Sequence, residues 1–136
     1  MASLLIDDSR LDMARAERER LQGTWNFVSG SREAQLVIDG EQFTVLFKNG
    51  DAYRGTFALD PIARPKRMDM TIVEGPERHR DKTARCIYAL DGNRLLWAAG
   101  KPGEDEAPKF FPPPEDKEHA HIVFERPKRK TSEPEA

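Results

Sequence analysis

Two histidines near the C-terminus have the spacing that most directly suggests chemistry. His119 and His121 fall in a predicted strand, where side chains two residues apart point to the same face. Two imidazoles on one face can bind a metal, and His121 alone can serve as an axial haem ligand. A third metal ligand is not evident, because His79 lies in a distant turn and Cys86 is the only cysteine. Histidines on the polar face of a strand are more often solvated, so we expect neither a metal nor another cofactor.

Three aspartates are candidates for acid–base catalysis. Asp60 precedes a proline and Asp91 precedes a glycine, which is the pattern of turn residues. Asp69 alternates with two methionines, so it either points outward or bonds to a buried backbone group. The chain has no Ser-His-Asp order, phosphate-binding loop or His-Glu-x-x-His motif. These observations predict a protein that is not an enzyme.

The charge pattern argues against nucleic-acid binding. Residues 126–130 read RPKRK, a short basic run that could contact nucleic acid or an acidic partner. The whole chain nevertheless has a net charge of −2 and a pI of about 6.0, and the run is followed by an acidic tail. The run is therefore interpreted as part of a solubilising tail, and no nucleic-acid partner is expected.

The N-terminus and the hydropathy pattern bear on location. The segment MASLLIDDSR has too short an apolar run for a signal peptide, and no window approaches the ~18 apolar residues of a membrane-spanning helix. The single cysteine excludes an intrachain disulfide. A cytoplasmic protein without membrane association is expected, although a secreted protein lacking its leader would look the same.

One helix and eight short strands account for most of the 136 residues. Residues 8–21 predict a helix capped by Asp8 or Ser9. Alternating segments separated by turn residues predict strands at 23–29, 34–38, 41–47, 51–60, 67–75, 82–90, 93–100 and 120–126. Their connections are too short for parallel crossovers, and closure removes exposed edges. We therefore predict an all-β, eight-stranded antiparallel up-and-down barrel over residues 8–127, with a flexible segment at 1–7 and a disordered tail at 128–136.

The first strand carries a structural signature. Gly23 would allow a sharp bend at one end of the barrel, and Trp25 would plug its floor. In a closed barrel the last strand pairs with the first, so Arg126 can stack on the indole of Trp25.

The aromatic and methionine residues on the predicted inner faces can either line a ligand cavity or fill the barrel. At least one of Phe110 and Phe111, in the proline-rich loop of residues 101–118, is expected to pack on the barrel, at its mouth as a lid or on its flank. If both are exposed, they are instead a candidate docking site for a partner. Two functions follow: a binding module for a small hydrophobic ligand, or a protein-interaction module that uses this loop, the helix or the tail. The candidate pocket residues are Trp25, Phe27, Phe43, Tyr53, Phe57, Met70, Trp97 and Phe124.

Four ordered segments resemble a known group of proteins. They are LQGTW (21–25), GTFALDP (55–61) followed by PKRMD (65–69), IYALDGNRL (87–95) and Arg126-Pro127. Together with the helix and the eight strands, they resemble the lipocalin, or calycin, superfamily. The closer resemblance is to a group of small, uncharacterised lipocalin-like domains abundant in planctomycete bacteria, and it covers about residues 18–127. It implies a lipocalin-like barrel and transfers no catalytic residue.

Overall fold

The computed structural model describes residues 2–113 and 120–127, with side chains from residue 11 onward. Within these ranges it contains one α-helix, eight strands and a short 3-10 turn, Glu77–His79. The helix is α1 (Ala2–Arg20). The strands are β1 (Gly23–Gly30), β2 (Ala34–Asp39), β3 (Gln42–Phe47), β4 (Ala52–Asp60), β5 (Lys66–Glu74), β6 (Thr83–Asp91), β7 (Arg94–Ala99) and β8 (Ala120–Glu125). Each strand begins and ends within one residue of its prediction.

The eight strands that the structure describes form a closed barrel in sequence order. Every neighbouring pair is antiparallel, and β8 closes the barrel by pairing with β1, with Phe124 opposite Phe27. The prediction of an eight-stranded antiparallel barrel with an N-terminal helix is confirmed. None of the described helices is both long enough and apolar enough to cross a membrane.

Three tight turns come where an Asx-Gly pair predicts them. Gly40, Gly50 and Gly92 all have positive φ angles, of 66°, 104° and 61°. Glycine adopts this left-handed conformation without the steric cost that a side chain brings. These turns reverse the chain between β2 and β3, β3 and β4, and β6 and β7, which fixes the register of three hairpins.

The helix differs from its prediction at the N-terminus. It begins at Ala2, six residues before Asp8, so residues 2–7 are helical where a flexible segment was expected. Asp8 and Ser9 lie inside the helix and are not its N-cap. Alanine and leucine favour a helix, and no proline or glycine interrupts the chain before Gly23, so the helix extends toward the N-terminus. The predicted tail at 128–136 lies outside the described residues.

The end of the barrel beside α1 is filled and is here called the closed end. Trp25 is fully buried there, and its indole Nε1 donates a hydrogen bond of 2.8 Å to the carbonyl oxygen of Leu21. Large side chains from six strands form the packing. They are Trp25, Phe57, Met68, Tyr88, Leu95 and Phe124.

Arg126 closes this end from the outside. Its guanidinium carbon lies 4.4 Å from the centre of the Trp25 ring, in the stacked arrangement expected from the sequence. Its Nη1 also donates to the carbonyl oxygens of Arg20 and Gln22, the latter at 3.0 Å. Gly23 has a φ of 120°, and a Cβ built there would lie 3.5 Å from the Arg126 side chain. The bend at Gly23 therefore brings the chain close beneath Arg126.

The loop after β7 packs along the outside of the barrel. Ile87 points outward from β6 yet is completely buried, because residues 105–109 lie over it. At the start of the loop, the amide of Gly103 donates to the carbonyl oxygen of Thr83 at 2.9 Å. Pro108 lies beside Gly100, with 3.8 Å between the proline Cδ and a Cβ built on the glycine. The proline-rich loop therefore covers the outer face of the sheet beside β6.

Candidate ligand cavity at the open end of the barrel

A cavity of about 120 Å³ lies at the end of the barrel opposite α1, here called the open end. The β1–β2 turn, the β3–β4 turn and the β5–β6 connection meet there, as does the start of the loop after β7. Most of the wall is apolar. The lining residues are Arg32, Phe43, Val45, Phe47, Tyr53, Met70, Ile72, His79, Ala84, Trp97, Ala99, Gly100, Pro102 and Ala120.

The cavity exists because the two sides of the barrel carry side chains of very different size. On the β3–β4 side the wall is formed by Phe43, Phe47 and Tyr53. Opposite them, β6, β7 and β8 present alanines or glycine at the open end. These small residues are Ala84, Ala99, Gly100 and Ala120. Since none of them reaches across the barrel, space is left at the open end.

Half of the predicted pocket residues line this cavity. Phe43, Tyr53, Met70 and Trp97 do so. The other four are not among the lining residues: Trp25, Phe57 and Phe124 are buried in the packed core, and Phe27 packs against that core while partly exposed. The alternatives of a filled barrel and a hollow barrel thus apply to different ends of the same molecule.

Tyr53 and His79 form a polar pair at the cavity mouth. The tyrosine hydroxyl lies 2.9 Å from His79 Nδ1, and the two rings stack with centroids 5.8 Å apart. Burial raises the pKa of Tyr53 and lowers the pKa of His79 below its usual range, with Arg78 and Lys82 adding to the shift of His79. When the imidazole is neutral and its Nδ1 accepts a hydrogen bond from the tyrosine hydroxyl, its own proton is on Nε2. The pair therefore gives an otherwise apolar mouth a hydrogen-bonding group.

Arg32 forms another part of the mouth. Its guanidinium carbon lies 3.9 Å from the centre of the Phe47 ring, and Phe47 in turn makes an edge contact with Tyr53, with centroids 5.6 Å apart. Among the described residues Arg32 makes no ion pair, while its acidic neighbour Glu33 lies 3.4 Å from Lys48. The stacking on Phe47 holds an unpaired cation beside the cavity.

Trp97 forms the inner wall of the cavity. It is buried, and its ring centroid lies 6.2 Å from that of Phe124, which belongs to the packed core below. Its Nε1 has no hydrogen-bond partner among the described residues. The group nearest in chemistry to an acceptor is the Cys86 thiol. Burial raises the pKa of this thiol, and its interaction with the Trp97 indole opposes that shift. Sulfur is only a weak hydrogen-bond acceptor. A buried N–H without a good acceptor is unusual in a folded protein.

Phe110 and Phe111 do not line the cavity. Phe111 is half-buried in a groove on the flank of the barrel, against Leu96 and Val123. The side chain of Phe110 is 72% exposed. One phenylalanine therefore packs on the barrel, but on its side and not over its mouth, so the structure does not place this pair as a lid. Among the described residues of this loop, Pro102 lies on the cavity wall.

The candidate metal ligands do not come together in the described part of the chain. His119 lies outside the described residues, and His121 is paired through its backbone with the Ser31 hydroxyl at 3.0 Å. Among the side chains described, those of residues 11–113 and 120–127, no three acidic, histidine or cysteine groups come together in a way able to hold a metal ion.

The three aspartates lie in turns, at a strand end or in an ion pair, and none of them lines the cavity. Asp60 accepts a hydrogen bond from the amide of Ile62 at 3.2 Å, as a turn residue does, and Asp91 is exposed at the end of β6. Asp69 points outward from β5 and pairs with Arg85 at 3.0 Å. Of the basic run, Arg126 stacks on Trp25, and residues 128–130 lie outside the described residues.

Sequence reasoning missed the two polar residues of the mouth. Arg32 and His79 lie in connections between strands, and only closure of the barrel brings them to the same opening. The small residues at the open-end termini of β6, β7 and β8 were a readable signal, because small inward-facing residues on adjacent strands leave space.

The fold and the cavity define the class of this molecule: a closed eight-stranded antiparallel barrel with a packed end and a cavity at the other end. Comparison with protein-family models finds no match. Comparison with curated proteins and with solved structures finds none either.

Proposed function

We propose that this protein is a non-enzymatic, lipocalin-like binding module that holds a small apolar ligand in the open-end cavity. The observation that carries the proposal is the cavity itself, about 120 Å³ with a mostly apolar wall, in a barrel that is densely packed at its other end. Apolar cavities with a few polar groups at the mouth are the usual form of small-molecule sites.

The volume limits the ligand. Typical drug-sized ligands occupy pockets of roughly 300–1,000 Å³, whereas an apolar cavity of about 150 Å³ takes up benzene. A cavity of about 120 Å³ therefore suits a single ring or a short branched chain. At about 0.8 kcal/mol for each buried CH₂ group, six such carbons contribute roughly 5 kcal/mol before the entropic cost of binding. After part of that gain is offset by this cost, we expect weak binding, with dissociation constants of about 1–10 mM for such fragments.

The protein-interaction alternative receives less support. Leu11 and Met13 on α1 and Phe110 in the loop are exposed. Apolar residues exposed singly are normal on soluble proteins, so these three do not by themselves mark a docking surface. Only one residue of the Phe110–Phe111 pair is available to a partner.

The proposal is tested by filling the cavity. Ala84→Leu adds three carbons to a side chain on the cavity wall, and Ala52→Leu makes the same change on the exposed outer side of β4 at the same end of the barrel. Binding of benzyl alcohol is measured by chemical-shift changes in the protein. We expect binding to the wild type and to Ala52→Leu, and loss of binding in Ala84→Leu. If the wild type binds no such fragment, or if Ala84→Leu binds as well as Ala52→Leu, the cavity is not the site.

A further inference from the structure

More cations than anions act on the Tyr53–His79 pair at the cavity mouth. The charged side chains that act on the Tyr53–His79 pair are three cations, Arg32, Arg78 and Lys82, and one anion, Asp51. The whole chain has a net charge of −2, so this local excess of positive charge runs against the overall balance. A concave site lined by one sign of charge attracts ligands of the opposite sign.

None of these cations is neutralised within the described residues. Arg32, Arg78 and Lys82 form no ion pair there. The nearest acidic neighbour of Arg32 along the chain, Glu33, already pairs with Lys48. The mouth therefore has positive charge available to a ligand.

Arg32 is the cation that lies on the cavity wall. Its stacking on Phe47 at 3.9 Å restricts the guanidinium to the edge of the apolar space. A planar guanidinium binds a carboxylate through two parallel hydrogen bonds, and less freedom is lost when the group is already held in place. The position suits an anionic group that remains at the mouth while an apolar group enters the barrel.

The polarity of the cavity wall determines which end of the ligand enters the barrel. Below the mouth the wall is formed by residues such as Val45, Met70 and Ile72, which cannot replace the hydration of a charge. A charged group is stable only near Arg32 and His79, where solvent still reaches it. The apolar group of the ligand then contacts Trp97 on the inner wall.

We propose that the ligand is a compact amphiphilic carboxylate, whose apolar part fills the open-end cavity and whose carboxylate pairs with Arg32. This inference rests on the proposed function and adds the chemical class of the ligand.

The test compares three probes with the same ring and different charge. Benzoate, benzyl alcohol and benzylammonium are titrated into the full chain at pH 7 and low salt, and chemical-shift changes give the dissociation constants. We expect benzoate to bind about three- to tenfold more tightly than benzyl alcohol, as suits one partly exposed charge pair. Benzylammonium should bind least, and added salt should reduce the preference for benzoate.

Matched variants test whether Arg32 itself, and not the overall charge of the protein, causes the preference for benzoate. Arg32→Gln should remove the preference for benzoate over benzyl alcohol, measured as the ratio of the two dissociation constants in the same variant, and Arg32→Lys should retain part of the preference. Arg54→Gln removes the same charge from the exposed outer side of β4 and should change nothing.

The outcomes distinguish the two proposals. If benzyl alcohol binds as tightly as benzoate, the cavity binds ligands but the carboxylate inference is wrong. The same conclusion holds if Arg32→Gln and Arg54→Gln weaken benzoate binding equally. If none of the three probes binds the wild type, the proposed function fails and the inference fails with it.

Discussion

Replacing Arg126 should destabilise the protein through two separable contacts. Its guanidinium stacks on Trp25 at 4.4 Å, and its Nη1 also donates to the carbonyl oxygens of Arg20 and Gln22. Those oxygens lie at the C-terminal end of α1, where carbonyl groups lack partners within the helix and carry partial negative charge. Arg126 therefore caps the helix and also covers the barrel floor.

The cost of Arg126→Met can be estimated from these contacts. A hydrogen bond to a charged group contributes about 1.5–3 kcal/mol, and the lower value applies because Arg126 is only half-buried. The stacking contributes about 0.5–1 kcal/mol, and methionine keeps much of the aliphatic packing. We expect the free energy of unfolding to fall by roughly 2–3 kcal/mol.

A double-mutant cycle separates the stacking from the cap. Trp25→Leu removes the aromatic ring and the hydrogen bond to Leu21, at a cost of about 2–4 kcal/mol. Because the carbonyl contacts of Arg126 do not need the ring, Arg126→Met should still cost at least 1 kcal/mol in the Trp25→Leu background. The coupling energy should be about 0.5–1 kcal/mol.

Urea unfolding followed by far-UV circular dichroism measures all four proteins. A total stability of about 5–15 kcal/mol leaves even the double variant measurable if the wild type lies in the upper half of that range. Arg126→Lys is the control, since it keeps the charge but loses the planar stack. A loss below 0.5 kcal/mol for Arg126→Met would refute the cap. Strict additivity in the cycle would refute the stacking.

Three further predictions concern other parts of the molecule. Phe111→Ser should lower the melting temperature by several degrees and Phe110→Ser by less than about one degree, because only Phe111 packs on the barrel; equal effects would contradict the placement. Glu17 is buried and pairs with Lys66 at 3.2 Å, so Lys66→Met should cost about 1–3 kcal/mol by urea unfolding, and adding Glu17→Leu should recover most of it; no recovery would contradict the argument. Since burial and neighbouring cations lower the pKa of His79, the unfolded chain binds more protons just below pH 6.5, so stability should fall as the pH drops from 6.5 toward the folded-state pKa. His79→Gln should flatten that part of the profile of melting temperature against pH, and an unchanged slope would assign it to other groups.

The barrel was predictable because its signals are local. Gly40, Gly50 and Gly92 each follow an Asx residue at a chain reversal, and alternation between those turns identifies the strands. The start of α1 was not predictable from capping, because Asp8 and Ser9 are acceptable caps and also tolerable within a helix. Since these residues are compatible with both positions, the sequence alone does not determine where the helix begins.

The cavity was predictable only in part, since its shape depends on closure. The aromatic side chains that fill the closed end and those that line the cavity follow the same alternation, so Phe57 and Phe43 look equivalent in the sequence. They differ in the size of the residues that face them across the barrel. Which residues face each other is known only once the strand register of the closed barrel is known. Arg32 and His79 are 47 positions apart, and only the closed sheet places both at the cavity mouth.

The two tryptophans of this chain lie at opposite ends of the barrel. Trp25 is on the floor, with its indole hydrogen-bonded and covered by Arg126, and Trp97 is on the wall of the cavity. Each end of the molecule therefore carries its own intrinsic fluorophore. A ligand in the cavity should alter the emission of Trp97 and leave that of Trp25 nearly constant, whereas global unfolding should shift both toward longer wavelengths. With Trp25→Phe, the remaining emission would report the cavity alone, so occupancy and folding can be followed optically in one sample without an attached label.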